Sequence, residues 1–179
     1  NPIEETVNES GDLIITSYQN VPLAEINGFE IEYEQVFEAI MDSPNDLLVK
    51  FNYTETESEV IVNPGDTYIN SIGTVVDAQN LLANGRDTRL QGQSDIIANF
   101  QIGLDNLQNQ TQATLIVNYV SDRVRARGID VLPDIIEEPP LLVDFAFSKI
   151  YSYPEFELKL SLELRNLLDE EYYASMRNI

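Results

Sequence analysis

Residues 156–167 read FELKLSLELRNL, and leucine takes every second position from Leu158 to Leu164. The positions between the leucines are polar, from Lys159 to Arg165. A strict period of two places alternate side chains on opposite sides of an extended backbone, so the pattern predicts a β-strand with one apolar and one polar face. An apolar face of this kind suits lipid, and it also suits the inner side of a half-buried sheet.

Five earlier stretches alternate in the same way, and their polar positions carry mainly Glu, Asn, Gln, Asp, Lys and Thr. Their apolar positions are Phe29, Ile31 and Tyr33; Leu47, Val49, Phe51 and Tyr53; Ile96, Ala98, Phe100, Ile102 and Leu104; Ala113, Leu115, Val117 and Tyr119; and Leu141, Val143, Phe145 and Phe147. A helix is the competing interpretation around residues 24–34, since Glu and Ala are good helix formers, but the alternation and the β-branched and aromatic residues favour a strand. We therefore predict an all-β fold, an antiparallel up-and-down meander of about six long strands.

The connections between these strands alternate between short and long. The predicted connections are, in chain order, 41–46, 63–86, 106–110, 128–140 and 152–155. A meander with short turns at one end and long loops at the other is typical of an outer-membrane barrel, whereas a soluble Greek-key sandwich has no such regularity. Residues 1–12 are expected to form a further loop, and the pattern alone assigns no role to residues 166–179.

The composition narrows the function classes. The chain has 31 acidic and 10 basic residues and a net charge of −21, so it would repel nucleic-acid phosphates and we expect no nucleic-acid partner. It has no Cys, His or Trp, and the lack of a thiolate and of the commonest general base weighs against an enzyme and a metal site. No apolar run approaches the roughly 18 residues of a membrane-spanning helix, whereas a spanning β-strand needs only about 10 alternating residues.

Two segments carry a family resemblance. Residues 24–33, AEINGFEIEY, resemble the barrel strand of TonB-dependent outer-membrane receptors, in which an A-x-x-x-G-hydrophobic-E-hydrophobic-E pattern recurs. Residues 158–172, LKLSLELRNLLDEEY, resemble the penultimate strand of that family and its N-L-[LF]-[ND]-x-x-Y ending. Residues 52–59, NYTETESE, and residues 132–135 and 138–139 are similar to shorter family segments. The resemblance runs, in order and spacing, over essentially the whole chain.

The resemblance implies a place and a role. It implies that residues 1–179 are part of a receptor β-barrel domain in the bacterial outer membrane, an open segment of a barrel of about 22 strands. The family's signal peptide, TonB box, plug domain and final strand are not found in the sequence, and the start at Asn1 without a leader suggests an excerpt or a processed product. The implied function is uptake of an iron-siderophore, cobalamin or glycan, with no covalent chemistry and no cofactor.

The resemblance also implies partners and an orientation. The partners would be outer-membrane lipid, the remainder of the barrel with its plug domain, TonB acting through that plug, and a small-molecule ligand. The short turns would be periplasmic. The longer loops at 63–86 and 128–140 would be extracellular, and residues 168–179 would begin the last outer loop.

Three residues are candidate ligand contacts. Arg86 and Arg89 lie just before the third strand, and Tyr68 lies in the long loop that precedes them. An anionic siderophore would suit the arginines, because guanidinium groups make charge-assisted hydrogen bonds to carboxylates. The alternative is that they pair with nearby acids such as Asp87.

Arg123, Arg125 and Arg127 form a basic stripe at the outer end of the fourth strand. Their odd numbering matches that of the apolar positions of this strand, so we expect them to face outward. We predict that they contact anionic lipid head groups. Ion pairing within the rim of the barrel is the alternative.

Two other function classes stay open. The first is a soluble β-sandwich or jelly-roll module that binds a carbohydrate or another ligand. The second is an all-β hydrolase using paired carboxylates, such as Glu137 with Glu138 or the acids of residues 169–171. These acids lack the spacing of an EF-hand calcium loop, and we interpret them as solvated loop residues.

Overall fold

Strands dominate the computed structural model, which describes residues 3–10, 12–21, 23–39, 44–69, 74–81, 88–129 and 132–177. The strands are β1 Ile3–Ser10, β2 Leu13–Asn20, β3 Leu23–Phe37, β4 Asn45–Ile61, β5 Thr67–Ile69, β6 Val75–Asp77, β7 Ile96–Asn106, β8 Thr111–Val120, β9 Arg123–Gly128, β10 Asp134–Glu138, β11 Leu142–Ser152, β12 Glu157–Leu164 and β13 Tyr173–Arg177. A short 3₁₀ helix covers Ala78–Leu81. Within the described ranges no helix has the length and apolar character needed to cross a membrane.

Six strands form what we call the large sheet, in the order β12-β11-β8-β7-β4-β3. Every neighbouring pair in it is antiparallel. The six strands are those predicted from the alternating stretches, so the all-β antiparallel meander is confirmed. The sheet is open, and β3 and β12 form its two edges.

The connections of the large sheet alternate in length as predicted. Tight turns join β7 to β8 and β11 to β12, whereas β4 reaches β7, and β8 reaches β11, through long connections that contain the smaller strands. In the first tight turn the side chain of Asn106 accepts a hydrogen bond from the backbone N–H of Asn109 at 2.8 Å, which is the usual role of Asn in a turn. The predicted turn at 41–46 lies partly outside the described residues. We call the two ends of the sheet the short-turn end and the long-loop end.

Five strands form the small sheet, in the order β13-β10-β9-β1-β2. The predictions were wrong here, since residues 1–12 and 128–140 were expected to be loops. β1 instead pairs with β2 along eight residues, from Ile3 opposite Asn20 to Ser10 opposite Leu13. β9 and β10 pair antiparallel, and β9 also pairs with β1 in parallel. Backbone hydrogen bonds, which need no apolar alternation, hold these short polar strands together.

The buried core lies in the small sheet and the long connections. The fully or nearly fully buried apolar residues are Val7, Val21, Val60, Tyr68, Ala78, Val124, Ala126, Ile129 and Ile136. Within this set, Tyr68, Ala78 and Ile129 form one cluster, with Val62 and Val76 packed against it. Val60, at the long-loop end of β4, belongs to this core, but the alternating apolar residues of the six strands do not appear in it within the described ranges.

Candidate functional site

The pairing register brings the apolar residues of all six strands of the large sheet onto one face. Successive registered pairs place the following residues in two adjacent rows: Tyr33, Phe51, Phe100, Val117 and Val143; and Val49, Ile102, Leu115, Phe145 and Leu164. Side chains in one row are direct cross-strand neighbours. We call this side of the large sheet the apolar face.

The apolar face is exposed. The side chains at both edges of the sheet show this most clearly, with Phe29 52 % and Leu160 54 % exposed. Phe100, in the middle of the sheet, is still 36 % exposed. Single exposed apolar residues are ordinary on protein surfaces, but a contiguous patch across six strands marks a surface that contacts something other than water.

The band of apolar side chains crosses the large sheet diagonally. The row that contains Leu164 serves as a reference line across the sheet. It runs from Leu164 on β12 to Gln35 on β3, and Leu164 is the last apolar residue of β12 toward the long-loop end. On β3 the band continues six residues further toward that end, to Phe29. Toward the short-turn end, the band on β3 stops at Phe37, two residues beyond this row. On β12 it stops at Leu158, six residues beyond the row. Both limits therefore shift by four to six residues across the sheet.

The opposite face of the large sheet is polar and internally hydrogen bonded. The Asn52 side chain donates to Glu30 at 2.6 Å and to Glu32 at 3.4 Å, and Asn99 donates to Asn52 at 3.3 Å. Lys50 pairs with Glu34 at 3.0 Å. A pocket of about 520 Å³ opens on this face over these residues. This face suits water or a polar protein surface.

Arg127 lies in the interior of the small sheet, where its guanidinium has no exposed surface. Its Nε donates to Glu4 Oε2 at 2.7 Å and its Nη2 to Glu4 Oε1 at 3.0 Å, an arrangement with two parallel charge-assisted bonds. Nη2 also donates to the Arg89 carbonyl at 2.8 Å, and Asp134 lies 3.8 Å from Nη1. The prediction that Arg127 contacts lipid head groups is wrong, because β9 pairs with β1 and turns this side chain toward Glu4.

Arg123 is likewise engaged within the protein, whereas Arg125 is exposed. The Arg123 guanidinium donates to both carboxylate oxygens of Glu137, at 3.1 and 2.9 Å. These hydrogen bonds lower the pKa of Glu137 against the opposing effect of burial, and the positive charges of Arg123 and Arg125 lower it further. The same bonds raise the pKa of Arg123. Ion pairing is thus the observed arrangement for Arg123, and lipid contact through Arg125 stays a prediction.

The candidate ligand contacts do not form one site in the structure. Tyr68 is buried in the cluster with Ala78 and Ile129. The Nη1 atom of Arg89 lies 3.2 Å from Asp95 and 3.4 Å from Asp122, so this arginine pairs with acids, whereas Asp87 lies outside the described residues. Arg86 lies outside the described residues. An anionic ligand at Arg89 would have to compete with two carboxylates.

Several residues of this ion-pair network were missed from sequence. Glu4 and Arg127 are 123 positions apart, and no local pattern connects them. Arg177 on β13 similarly lies 2.9 Å from Asp122 and 2.7 Å from Glu138. Only the pairing of β1 with β9, and of β10 with β13, brings these charges together.

Over the described ranges no group of three or more His, Cys, Asp or Glu side chains is placed to hold a metal ion. The feature with the clearest consequence is therefore the two-faced large sheet with the ion-paired small sheet at its long-loop end. Comparisons with protein families, with curated proteins and with solved structures found no match to this chain.

Proposed function

We propose that this chain is a segment of the β-barrel of a TonB-dependent outer-membrane receptor, and that it acts in the uptake of a scarce ligand. The exposed apolar face of the large sheet carries the proposal. In a barrel wall this face would contact lipid, and the polar face would line the interior. The resemblance of residues 24–33 and 158–172 to that family's strands supports the same assignment.

The diagonal course of the apolar band supports a barrel wall in particular. A shift of about five residues at about 3.3 Å each, over five strand spacings of about 4.8 Å, corresponds to a slope of about 35°. Strands in closed barrels tilt by typically about 35–45° relative to the barrel axis. A flat lipid layer around tilted strands would cover a different stretch of residues on each strand, and the apolar band shifts from strand to strand in the same way.

The strand lengths also support the proposal. A tilted spanning strand needs about 9–11 residues. Five strands of the large sheet have 10 residues or more, from 10 in β8 to 17 in β4. The proposed lipid-facing region fits within each of them, and the ion-paired small sheet would lie outside the membrane at the long-loop end.

A soluble β-sandwich or jelly-roll binding module is the competing proposal. It would need a second protein layer over the apolar face. The pocket of about 520 Å³ over Asn52 and Gln101 on the polar face is the observation that would suit a polar ligand such as a carbohydrate in that case.

Partitioning separates the two proposals. The 179-residue chain is refolded with phospholipid vesicles, and vesicle-bound protein is measured by flotation. We expect the unmodified chain to float with the vesicles. Leu162→Arg places a charge in the inner part of the apolar band of β12, which runs from Leu158 to Leu164, and is expected to lower the stability of the inserted protein by about 2–4 kcal/mol.

Ser161→Arg is the matched control, because Ser161 precedes Leu162 on β12 and lies on the polar face. We expect Ser161→Arg to insert nearly as well as the unmodified chain. Equal effects of the two substitutions, or a chain that stays monodisperse in the aqueous phase, would overturn the barrel proposal in favour of the soluble module.

A further inference from the structure

Charged side chains on the apolar face are sorted by position along the strands. In the described part of the large sheet, the acids of this face, Glu25, Glu55, Glu57 and Glu59, lie at the long-loop end. Lys149 on β11 is the cation of this face, and it lies near the short-turn end. Its registered neighbour on β12 is Leu160, so a positive charge projects from within the apolar band.

Aromatic residues follow Lys149 along β11 and into the turn at the short-turn end. The Lys149 Nζ lies 5.1 Å from the centroid of the Tyr151 ring, which is the geometry of a cation–π contact. Beyond Tyr151, the rings of Tyr153 and Phe156 stack with centroids 4.6 Å apart. The backbone N–H of Tyr153 donates to the Phe156 carbonyl at 2.9 Å and closes the turn that holds them. We call Lys149, Tyr151, Tyr153 and Phe156 the Lys149 patch.

The Lys149 patch has the composition of a membrane interface. Tyr151, Tyr153 and Phe156 are 40, 49 and 59 % exposed, and aromatic girdles flank the apolar band of outer-membrane barrels. The four-carbon stem of lysine packs along apolar surface while its ammonium reaches toward water and charged groups. Among the described residues no carboxylate lies within ion-pair distance of Lys149, so its charge stays available to an anion.

We propose that the Lys149 patch binds the phosphate of an anionic phospholipid in the membrane leaflet at the short-turn end. The phosphate would accept hydrogen bonds from the Lys149 ammonium, and the acyl chains would lie along Leu158, Leu160 and the neighbouring apolar rows. The proposal rests on the proposed function, since it requires the apolar face to lie in lipid. It adds a preferred lipid class and a leaflet to that function.

The test uses the full 179-residue chain in lipid vesicles with a single reporter. The chain contains no tryptophan, so Leu158→Trp places the only indole on the apolar face, opposite Tyr151 in the register. Its fluorescence is measured in vesicles that contain brominated phosphatidylglycerol or brominated phosphatidylcholine as the quenching lipid. The ratio of the two quenching constants gives the preference for anionic lipid at this position.

Lys159 offers a matched control. It lies on β12, its registered partner on β11 is Ile150, and it belongs to the polar face. Lys149→Gln and Lys159→Gln therefore remove the same charge one residue step apart on neighbouring strands, from opposite faces of the sheet. Each is combined with Leu158→Trp.

We expect a preference for phosphatidylglycerol of about fivefold, lost in Lys149→Gln and retained in Lys159→Gln. We also expect inorganic phosphate to leave the preference unchanged, because the acyl chains contribute to binding. No preference, an equal loss in both variants, or displacement by inorganic phosphate would overturn the lipid site while leaving the membrane proposal intact. Absence of quenching by either lipid would overturn both, since the apolar face would then not lie in lipid.

Discussion

At the residue scale, the ion pairs of the protein differ greatly in burial. The side chains of Arg127 and Glu4 are 0 and 3 % exposed, whereas those of Arg165 and Glu163 are 80 and 66 % exposed. A buried charge that loses its partner is strongly destabilising, while an exposed pair contributes almost nothing. The two arginines therefore form a natural comparison.

Arg127→Ala is expected to lower the free energy of unfolding by about 3–5 kcal/mol, because the Glu4 carboxylate would stay buried without its partner. Arg165→Ala, the control, is expected to change it by less than about 1 kcal/mol. Urea unfolding of the vesicle-inserted protein, followed by tyrosine fluorescence, measures both. Similar small effects for the two variants would mean that Arg127 is not buried against Glu4.

The Arg123–Glu137 pair predicts a pH dependence. The hydrogen bonds from Arg123 hold the pKa of the Glu137 carboxyl below its usual value in the folded protein. A group with a lowered folded pKa contributes stability above its unfolded pKa, which is about 4.3 for Glu, and loses it as pH falls through the folded pKa. Glu137→Gln is therefore expected to be less stable than the unmodified protein at pH 7, and the difference should shrink below about pH 4.

Urea unfolding at several pH values between neutral and acid measures this difference. Glu163→Gln is the control, because Glu163 belongs to the exposed pair with Arg165. It is expected to show little difference at any pH. A gap between Glu137→Gln and the unmodified protein that stays constant through acid pH would contradict the role of this carboxylate.

At the element scale, the pairing of β3 with β4 explains why a glycine, Gly28, lies in residues 24–33. A Cβ atom added to Gly28 would lie 2.4 Å from the Glu55 carbonyl oxygen and 2.7 Å from Cγ2 of Thr56. Real Cβ atoms do not approach backbone oxygens this closely, so the two strands would have to move apart. The close approach makes glycine the residue that allows this pairing.

Gly28→Ala is expected to lower the free energy of unfolding by about 1–3 kcal/mol. Gly103→Ala is the control on β7, where an added Cβ would have its nearest neighbour at 3.5 Å, an ordinary contact. That substitution is expected to be neutral or stabilising by up to about 1 kcal/mol, since alanine loses less conformational entropy on folding. The same urea titration compares them, and a tolerated Gly28→Ala would show that β3 and β4 pair less closely.

Sequence reasoning succeeded best for the elements of the large sheet. Alternation is a local property, and residues 156–167 carry it strongly enough to indicate both a strand and its two faces. It failed for β1 and β10, which lie in segments expected to be loops. β1 pairs with β2 in a hairpin and in parallel with β9, which lies far away along the chain, and β10 pairs with β9 and β13; these neighbours satisfy the backbone groups of both strands.

At the scale of the whole molecule, the large sheet has two unpaired edges and an exposed apolar face. An open edge presents free backbone donors and acceptors, which makes it a template for pairing with other chains. β3 offers such an edge along 15 residues, and it carries the exposed Phe29 and Ile31 beside it. The isolated chain therefore combines two features that promote association.

We expect the isolated 179-residue chain to aggregate in aqueous buffer and to become dispersed in detergent. Size-exclusion chromatography with light scattering, with and without detergent, measures this directly. A monodisperse monomer without detergent that unfolds cooperatively would contradict both the open edges and the lipid-facing sheet.

The order of residues along the chain was sufficient to establish an all-β meander, the six long strands, the two faces of each and the alternation of short and long connections. These features follow from period-two patterning and turn chemistry, which act between close neighbours in the sequence. The ion-pair partners of the arginines were determined by three-dimensional packing instead. Arg127 meets Glu4 because β9 lies beside β1, and a contact across 123 residues is set by strand pairing, which leaves no trace in local sequence.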